Sequence, residues 1–513
     1  MITKGITKQG KYYDSVSLMI ISNEINKLSG VIDSSIVMGT HENISILKAA
    51  DLYISDFDEV DDTDLLISMK VEKEADFDNA LVKLDELFEE LSNKSDDDSD
   101  FAPKSIENAI KQMPDANLSL ISIAGKYAVA EAWKALKSGL HVMLFSDNIS
   151  IEDENKMKAY GLENDLLVMG PDCGTAIING VPLAFSNVVN RGDIGIVAAS
   201  GTGLQEVSSI ISNQGAGISQ ALGTGGRDVK EQIGGKMFLR SMQALAQDDD
   251  TKIIVLVSKP PHQSVQAKIA DEIKNINKPV VSILIGGDPK VLVEAGAYAA
   301  NTLEEAALMA VKLSKGEDIK SFSVENNFSE IVEKETANKT PEQKYVRGLY
   351  SGGTLCDETQ LLFKDKIGYA YSNTPLTSEF LMKDVWKSTE NIVIDLGDDE
   401  FTAGRPHPMI DFSLRNKRII QESTDPQVAV ILLDVVLGYG ANMQPAQELA
   451  PIFKQALENN PKITIIATIT GTSGDPQNKE QVEQELQNAG AIIMQSNASA
   501  AKLTMEIIAK LNK

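Results

Sequence analysis

Apolar residues in this chain recur as short continuous runs separated by amphipathic stretches. Runs at Leu118–Ile123, His141–Phe145, Leu166–Met169, Ile194–Ala198, Ile253–Val257 and Val280–Ile285 read as strands, with helical stretches such as Ala128–Lys137 and Gln205–Asn213 between them. Continuous apolar strands alternating with helices imply parallel sheets covered on both faces. The theme returns later, with strands expected at Ile392–Leu396, Val428–Leu433 and Ile463–Ile469. Nearer the start, runs at Ser34–Met38 and Leu65–Val71 alternate with amphipathic stretches at Val16–Leu28 and Phe77–Leu91, the pattern of a small α+β domain. Two polar stretches, the acidic and serine-rich Ser92–Lys104 and the charged Ser314–Lys344, read as linkers. The expected fold class is therefore α/β: several doubly wound, Rossmann-like and flavodoxin-like parallel-sheet domains in series, behind a small α+β N-terminal domain.

At 513 residues the chain exceeds what one hydrophobic core usually serves, which fits that division. Acidic residues number 74 against 48 basic ones, a net charge of −26. A field of that sign repels phosphate backbones and anionic lipid, so neither nucleic acid nor a membrane surface is an expected partner. The two cysteines, Cys173 and Cys356, make neither a disulfide framework nor a four-ligand zinc site, and no metal site is expected. No run approaches the roughly 20 apolar residues that span a bilayer, and no signal peptide is visible, so the expected location is the cytoplasm.

The strongest local signal is Ile194-Gly195-Ile196-Val197-Ala198-Ala199-Ser200-Gly201-Thr202-Gly203-Leu204-Gln205-Glu206, an apolar strand running through small residues into a helix. Glycines let a ligand reach the backbone, and the first amides of a helix have no internal partner, so Ser200, Gly201, Thr202 and Gly203 form a candidate phosphate cradle. The same residues equally suit a tight turn in which Ser200 or Thr202 merely caps the helix. A second, weaker candidate cradle is Gly438, Tyr439 and Gly440, after the run Val428–Leu433 and before a helix expected around Gln444–Leu449. Arg227, in Gly223-Thr224-Gly225-Gly226-Arg227-Asp228, offers a fork that binds carboxylate or phosphate bidentately, or else pairs with Asp228 or another acid. In Gly404-Arg405-Pro406-His407-Pro408 two prolines fix the backbone around one imidazole. Arg405 and His407 are candidate catalytic groups, and a structural turn accounts for them equally well. Cys173 lacks a neighbouring histidine and reads as packing, and His41 as a satisfied structural group.

Together these segments resemble the α subunit of succinyl-CoA synthetase and its relatives among ATP-citrate lyases and acyl-CoA ligases. The resemblance rests on Met169-Gly170-Pro171-Asp172-Cys173-Gly174, on the Gly195–Thr202 helix start and on Lys278-Pro279-Val280-Val281, within about Asn117–Leu313. The stretch Tyr345–Leu511 resembles the ligase domain of the β subunit, whose phosphate-binding helix start would fall at Gly438-Tyr439-Gly440. The order of blocks, Gly223–Asp228 and Gly404–Pro408 are similar to the FdrA proteins. The resemblance implies a small domain over 1–92, a Rossmann-like CoA-binding-type domain over 104–190, and succinyl-CoA-synthetase-like ligase domains over 191–318 and 340–513. Two departures stand out. The parent family phosphorylates a histidine after its Lys-Pro-Val-Val strand, yet the histidines here are His41, His141, His262 and His407, none between Val281 and Leu313. No ATP-grasp domain is recognisable, nor the Gly-x-Thr-Gly-x-x-Gly turn that opens the parent's CoA-binding domain.

What the resemblance implies for function is one subunit of a carbamoyltransferase that interconverts oxalurate plus phosphate with oxamate plus carbamoyl phosphate in allantoin use. The alternatives are an acyl-CoA synthetase subunit that obtains its nucleotide site from a partner, and a non-catalytic scaffold. Expected ligands are phosphate and carbamoyl phosphate as substrates, with CoA put forward by the resemblance alone. Partner subunits encoded by adjacent genes and an oligomeric assembly are expected too.

Overall fold

In the strand Leu65–Val71 alternate residues serve two small cores, Leu65, Ile67 and Met69 facing one and Leu66 the other. This strand is the centre of a three-stranded antiparallel sheet of β1 (Ile2–Lys8), β2 (Val31–Met38) and β3 (Leu65–Val71), in the order β1-β3-β2. Helices α1 (Ser15–Ile25) and α3 (Glu74–Asp97) cover one face with Leu18, Ile21, Phe77 and Leu84, and α2 (His41–Ala49) brings Leu47 to the other. The computed structural model describes residues 1–11, 13–97, 103, 105–320, 322–402 and 405–513. This first unit comprises Met1–Lys104 together with Leu396–Asp411, and the second comprises Ser105–Asp395 with Phe412–Lys513.

Two corrections to the sequence reading fall in the first unit. Strand β1 is not announced by its sequence, because Ile-Thr-Lys-Gly-Ile-Thr-Lys is a polar edge strand with every residue at least partly exposed. Helix α3 continues through Asp97 into the stretch expected to be a linker, since an established amphipathic helix extends at little cost per residue. Residues 98–102 and 104 of that stretch lie outside the described residues.

The second unit holds three sheets. The first is parallel, β4 (Leu118–Ile121), β5 (His141–Leu144) and β6 (Val168–Met169), with α4 (Ile106–Gln112), α5 (Gly125–Lys137) and α6 (Ile151–Glu163). Next come the hairpin β7 (Thr175–Ile178) and β8 (Val181–Ala184) and the parallel strands β9 (Arg191–Ala199), β10 (Ile218–Gly223), β11 (Ile253–Ser258), β12 (Val280–Leu284) and β13 (Tyr298–Ala299). They form one seven-stranded sheet in the order β13-β12-β11-β9-β10-β7-β8, flanked by α7 (Gly201–Asn213), α8 (Lys236–Gln247), α9 (Gln263–Ile273), α10 (Pro289–Glu294) and α11 (Leu303–Ser314). The antiparallel hairpin at its edge was not expected, although Asn179-Gly180, both at positive φ, is a hairpin-turn signal. The third sheet is parallel, β14 (Tyr345–Tyr350), β15 (Ile392–Asp395), β16 (Val428–Val436), β17 (Thr464–Thr470) and β18 (Ala491–Met494), in the order β15-β14-β16-β17-β18.

The remaining helices are α12 (Ser329–Thr336), α13 (Gly353–Lys364), α14 (Asp399–Thr402, in the first unit), α15 (Ser413–Ser423), α16 (Pro445–Asn459), α17 (Lys479–Asn488) and α18 (Asn497–Leu511). Helix α12 lies inside the expected second linker, and Phe328 and Val332 seat it in the core. The two larger sheets share one core through α7, α11, α13 and α18, with Leu204, Val207, Leu303, Leu355 and Ile507 in a single cluster. Each such buried aliphatic side chain contributes roughly 1.5–3 kcal/mol. Among the described residues no helix is long and apolar enough to cross a membrane.

Candidate functional site

The shared core sets the starts of two helices against each other. Strand β9 ends at Ala199, Ser200 caps α7 by accepting the Gly203 amide at 3.0 Å, and the same hydroxyl lies 2.7 Å from Thr354 Oγ1 in the first turn of α13. The second start is built in the same way as the first, with β14 running through Ser351-Gly352-Gly353-Thr354 into α13. Glycine is required where the two meet. A Cβ on Gly203 would lie 2.3 Å from Ser200 Oγ and 3.1 Å from Thr354 Cγ2, and one on Gly352 would lie 3.0 Å from Thr202 Cβ. The cradle residues Ser200, Gly201, Thr202 and Gly203 thus face a partner that sequence reasoning missed. The signal was present in Ser351-Gly352-Gly353-Thr354, small residues between a strand and a helix, although Arg347 breaks the apolar run before them.

The α13 start differs in how it is held. Asp434, fully buried on β16, accepts the Ser351 amide at 2.7 Å, the Gly352 amide at 2.8 Å and the Ser351 hydroxyl at 2.9 Å. Fully buried Arg415 donates to its carbonyl at 2.6 Å and lies 3.3 Å from its Oδ1. No side chain caps α13, since its cap residue is Gly352.

Lys259, the first residue past β11, reaches this place from the other sheet. Its Nζ is 3.8 Å from Asp357 Oδ2 on α13, and a Cβ on Gly353 would lie 2.8 Å from the same Nζ and 2.3 Å from Asp395 Oδ2. Burial pulls the lysine pKa down, but Asp357, Asp395 and Asp172 outweigh it and the net shift is upward, so the ammonium stays charged. The Asp357 carboxyl is raised, first by burial. Deeper in α7 and α13, Glu206 and Glu358 converge on Asn497, whose backbone amide donates to Glu206 at 3.0 Å and whose Nδ2 donates to Glu358 at 2.8 Å. Burial raises Glu206 and the nearby Glu304, and pushes Glu358 up to about 7.

The other candidates lie elsewhere. Gly438 donates its amide to Gln477 Oε1 at 3.0 Å and Tyr439 to the Ser186 carbonyl at 2.8 Å, while Gly440 packs on Phe185. This loop does not run directly into a helix; α16 starts at Pro445. Arg227 has Nε 3.0 Å from Glu154 and donates Nη2 to the Ile149 carbonyl at 2.8 Å. Glu154 also accepts from fully buried Lys158, whose second carboxylate partner is Asp228. Arg405 and His407 belong to the first unit, apart from the ligase-like sheets, and Gly404 lies outside the described residues. Burial pushes His407 down to about 4, so its ring is neutral at neutral pH. Cys173 is pushed up to about 12 by burial and Cys356 well above its usual value, which leaves neither as a thiolate nucleophile.

The family models that match this chain agree with this architecture. A CoA-ligase family model matches residues 349–507, a CoA-binding-domain model 189–286, and a model described as AllF, heavy metal-associated domain, residues 1–103. The CoA-binding match thus falls C-terminal to the 104–190 block expected to carry that domain type. Uncharacterized protein YahF of Escherichia coli strain K12 is 41% identical over 514 residues, covering 99% of each chain. Succinate–CoA ligase (ADP-forming) subunit alpha 2 of Archaeoglobus fulgidus is 27% identical over 186 residues, 36% of this chain and 63% of that subunit. The structure of ATP citrate lyase from Methanothrix soehngenii in complex with citrate and coenzyme A aligns at 17% identity over 45% of each chain, with a TM-score of 0.35. As to a metal in the N-terminal domain, residues 1–103 contain no cysteine, and among the described residues no cluster of three or more His, Cys, Asp or Glu could hold an ion. The residues present do not fit a soft metal.

Proposed function

We propose a function from one premise: the chain belongs to the FdrA family of succinyl-CoA-synthetase-like proteins. It acts as a subunit of an acyl-CoA-synthetase-type enzyme, and the reacting phosphate or acyl phosphate is held between the starts of α7 and α13. The observation that carries this reading is the opposition of the two helix starts, with Ser200 Oγ 2.7 Å from Thr354 Oγ1. Two positive dipole ends and the first-turn amides of α13, which no side chain caps, favour an anion there, and charge developing on phosphate in the transition state is stabilised by the same donors. CoA, where it is the acyl acceptor, supplies a thiol. Its diphosphate suits the start of α5, where Gly125 has no side-chain cap before it and Lys126 stands in the first turn. At Gly125 the backbone passes so near the Asp147 carbonyl that a Cβ would lie 2.2 Å from it.

A second reading keeps the phosphate site and changes the acyl group to carbamoyl. Its support is the lack of any histidine from Val281 to Leu313, which leaves phosphate to react directly, together with the AllF domain description of residues 1–103. A phosphate oxygen attacks the carbamoyl carbon of oxalurate, the bond from that carbon to the oxamate nitrogen breaks, and this nitrogen takes up a proton. Both readings expect partner subunits from adjacent genes. The test is reconstitution with those products. Acyl-CoA formed from CoA, a carboxylate and nucleotide supports the first reading, phosphate-dependent release of carbamoyl phosphate from oxalurate the second, and neither product would leave only a scaffold.

A further inference from the structure

We infer that Lys259, which stands beside Asp357 and Asp395, is the cationic ligand of the phosphate between the α7 and α13 starts. The inference rests on the phosphate site proposed above and adds a residue to it. Lys259 crosses from the end of β11 to the first turn of α13, a helix built on the other sheet, and its side chain keeps 34% of its surface exposed. The nearest carboxylate oxygen to its ammonium, on Asp357, is 3.8 Å away, a longer separation than that of a close ion pair. A salt bridge formed for stability would close that gap, whereas an ammonium reserved for a ligand would stand off from its acids in this way. Pro260 and Pro261 follow at once, fixing the backbone that aims the side chain.

The sign of the local charge makes the lysine decisive. Asp172, Asp357 and Asp395 all lie close enough to act on Lys259, and without the ammonium they would repel a phosphate dianion. Burial moves Asp357 toward its neutral form, which lessens that repulsion but does not remove it. Gly353 keeps the space between the lysine and the helix amides open, since a Cβ there would press on both Lys259 Nζ and Asp395 Oδ2.

A structural ion pair and a phosphate ligand give opposite predictions for the two members of the pair. Calorimetric titration of inorganic phosphate into the full chain is the measurement, on wild type, Lys259→Met, Lys259→Arg and Asp357→Asn. Lys259→Met should weaken binding about 30-fold or more, Lys259→Arg should keep most of it, and Asp357→Asn should leave it unchanged or tighten it by removing a repelling charge. Thermal melts of all four keep a folding defect distinguishable. Phosphate bound by Lys259→Met within about threefold of wild type would overturn the role of the lysine while leaving the phosphate site standing. Equal weakening by Lys259→Met and Asp357→Asn would also overturn it, as a structural pair. A wild-type chain that binds no phosphate overturns the site and the lysine together.

Discussion

The starts of α7 and α13 share one design and are secured by different means. Both follow a buried parallel strand through Ser-Gly, and both carry a glutamate six residues beyond the cap, Glu206 after Ser200 and Glu358 after Gly352. The α7 start is fixed locally, its own serine capping the Gly203 amide. The α13 start has no such cap, and a buried carboxylate 83 residues away in sequence, pinned by Arg415, fixes its loop instead. A self-capped start spends one of its free donors on its own chain. A start held from behind leaves its first-turn amides free for a ligand, which is why Lys259 and the acids gather at α13.

The largest effect is expected at Asp434. Asp434→Ala removes three hydrogen bonds from the Ser351-Gly352 loop and leaves a fully buried guanidinium without its counter-charge. Such a loss costs about 3–5 kcal/mol, read as a lower urea midpoint at unchanged slope. Ser200→Ala, which removes only the local cap, should cost about 1 kcal/mol by the same measurement.

The glutamates sharpen the comparison through pH. Glu358, raised by burial to about 7 from an ordinary 4.5, binds its proton more tightly in the folded chain than in the unfolded one. Its contribution is therefore fully present below pH 4.5 and is lost as pH rises through about 7, so the folded chain loses stability across that window. Glu358→Gln should flatten the fall, on the order of 3 kcal/mol at most, in urea melts taken at intervals from pH 5 to 8. An unchanged slope would mean that the buried carboxyl, beside Glu206, Glu304 and Asn497, is ionised throughout.

The last two effects separate two glycines that lie two residues apart, and the second of them is the smallest. Gly203→Ala forces a Cβ to 2.3 Å from Ser200 Oγ and 3.0 Å from Val257, and overpacking of this kind costs about 1–3 kcal/mol. At Gly201 the nearest atom to an added Cβ is 3.7 Å away, so Gly201→Ala should change the melting midpoint by less than about 0.5 kcal/mol.

The same contrast explains what the sequence made legible. The α7 start could be read because strand, serine, glycines and helix are contiguous, and local chemistry decides it. The α13 start has the same grammar but was passed over for Gly438-Tyr439-Gly440, whose glycines prove to make close contact with Ser186 and Phe185 of the neighbouring hairpin. Nothing local distinguishes a glycine that admits a ligand from one that admits another loop. Lys259 follows β11, Asp395 ends β15 and Asp357 lies on α13, so only the pairing of the two sheets brings them together. The strand pattern held for β11, β12, β16 and β17, which are buried along their whole length and mostly apolar. It failed for β1, the β7–β8 hairpin, β13 and β18, where a position at or near a sheet edge relaxes that requirement, and for the interior strands β10 and β14, whose runs are broken by Gln220 and by Arg347.

On the function proposed above, one phosphate is shared by the two helix starts. Phosphorus NMR titration of inorganic phosphate into the full chain tests it directly, with Gly201→Val on α7 and Gly353→Val on α13 as separate variants. The account predicts one saturable site per chain, lost or severely weakened by either substitution while the melting transition survives. Saturable binding that persists in both variants, or no saturable binding in the wild-type chain, would contradict it.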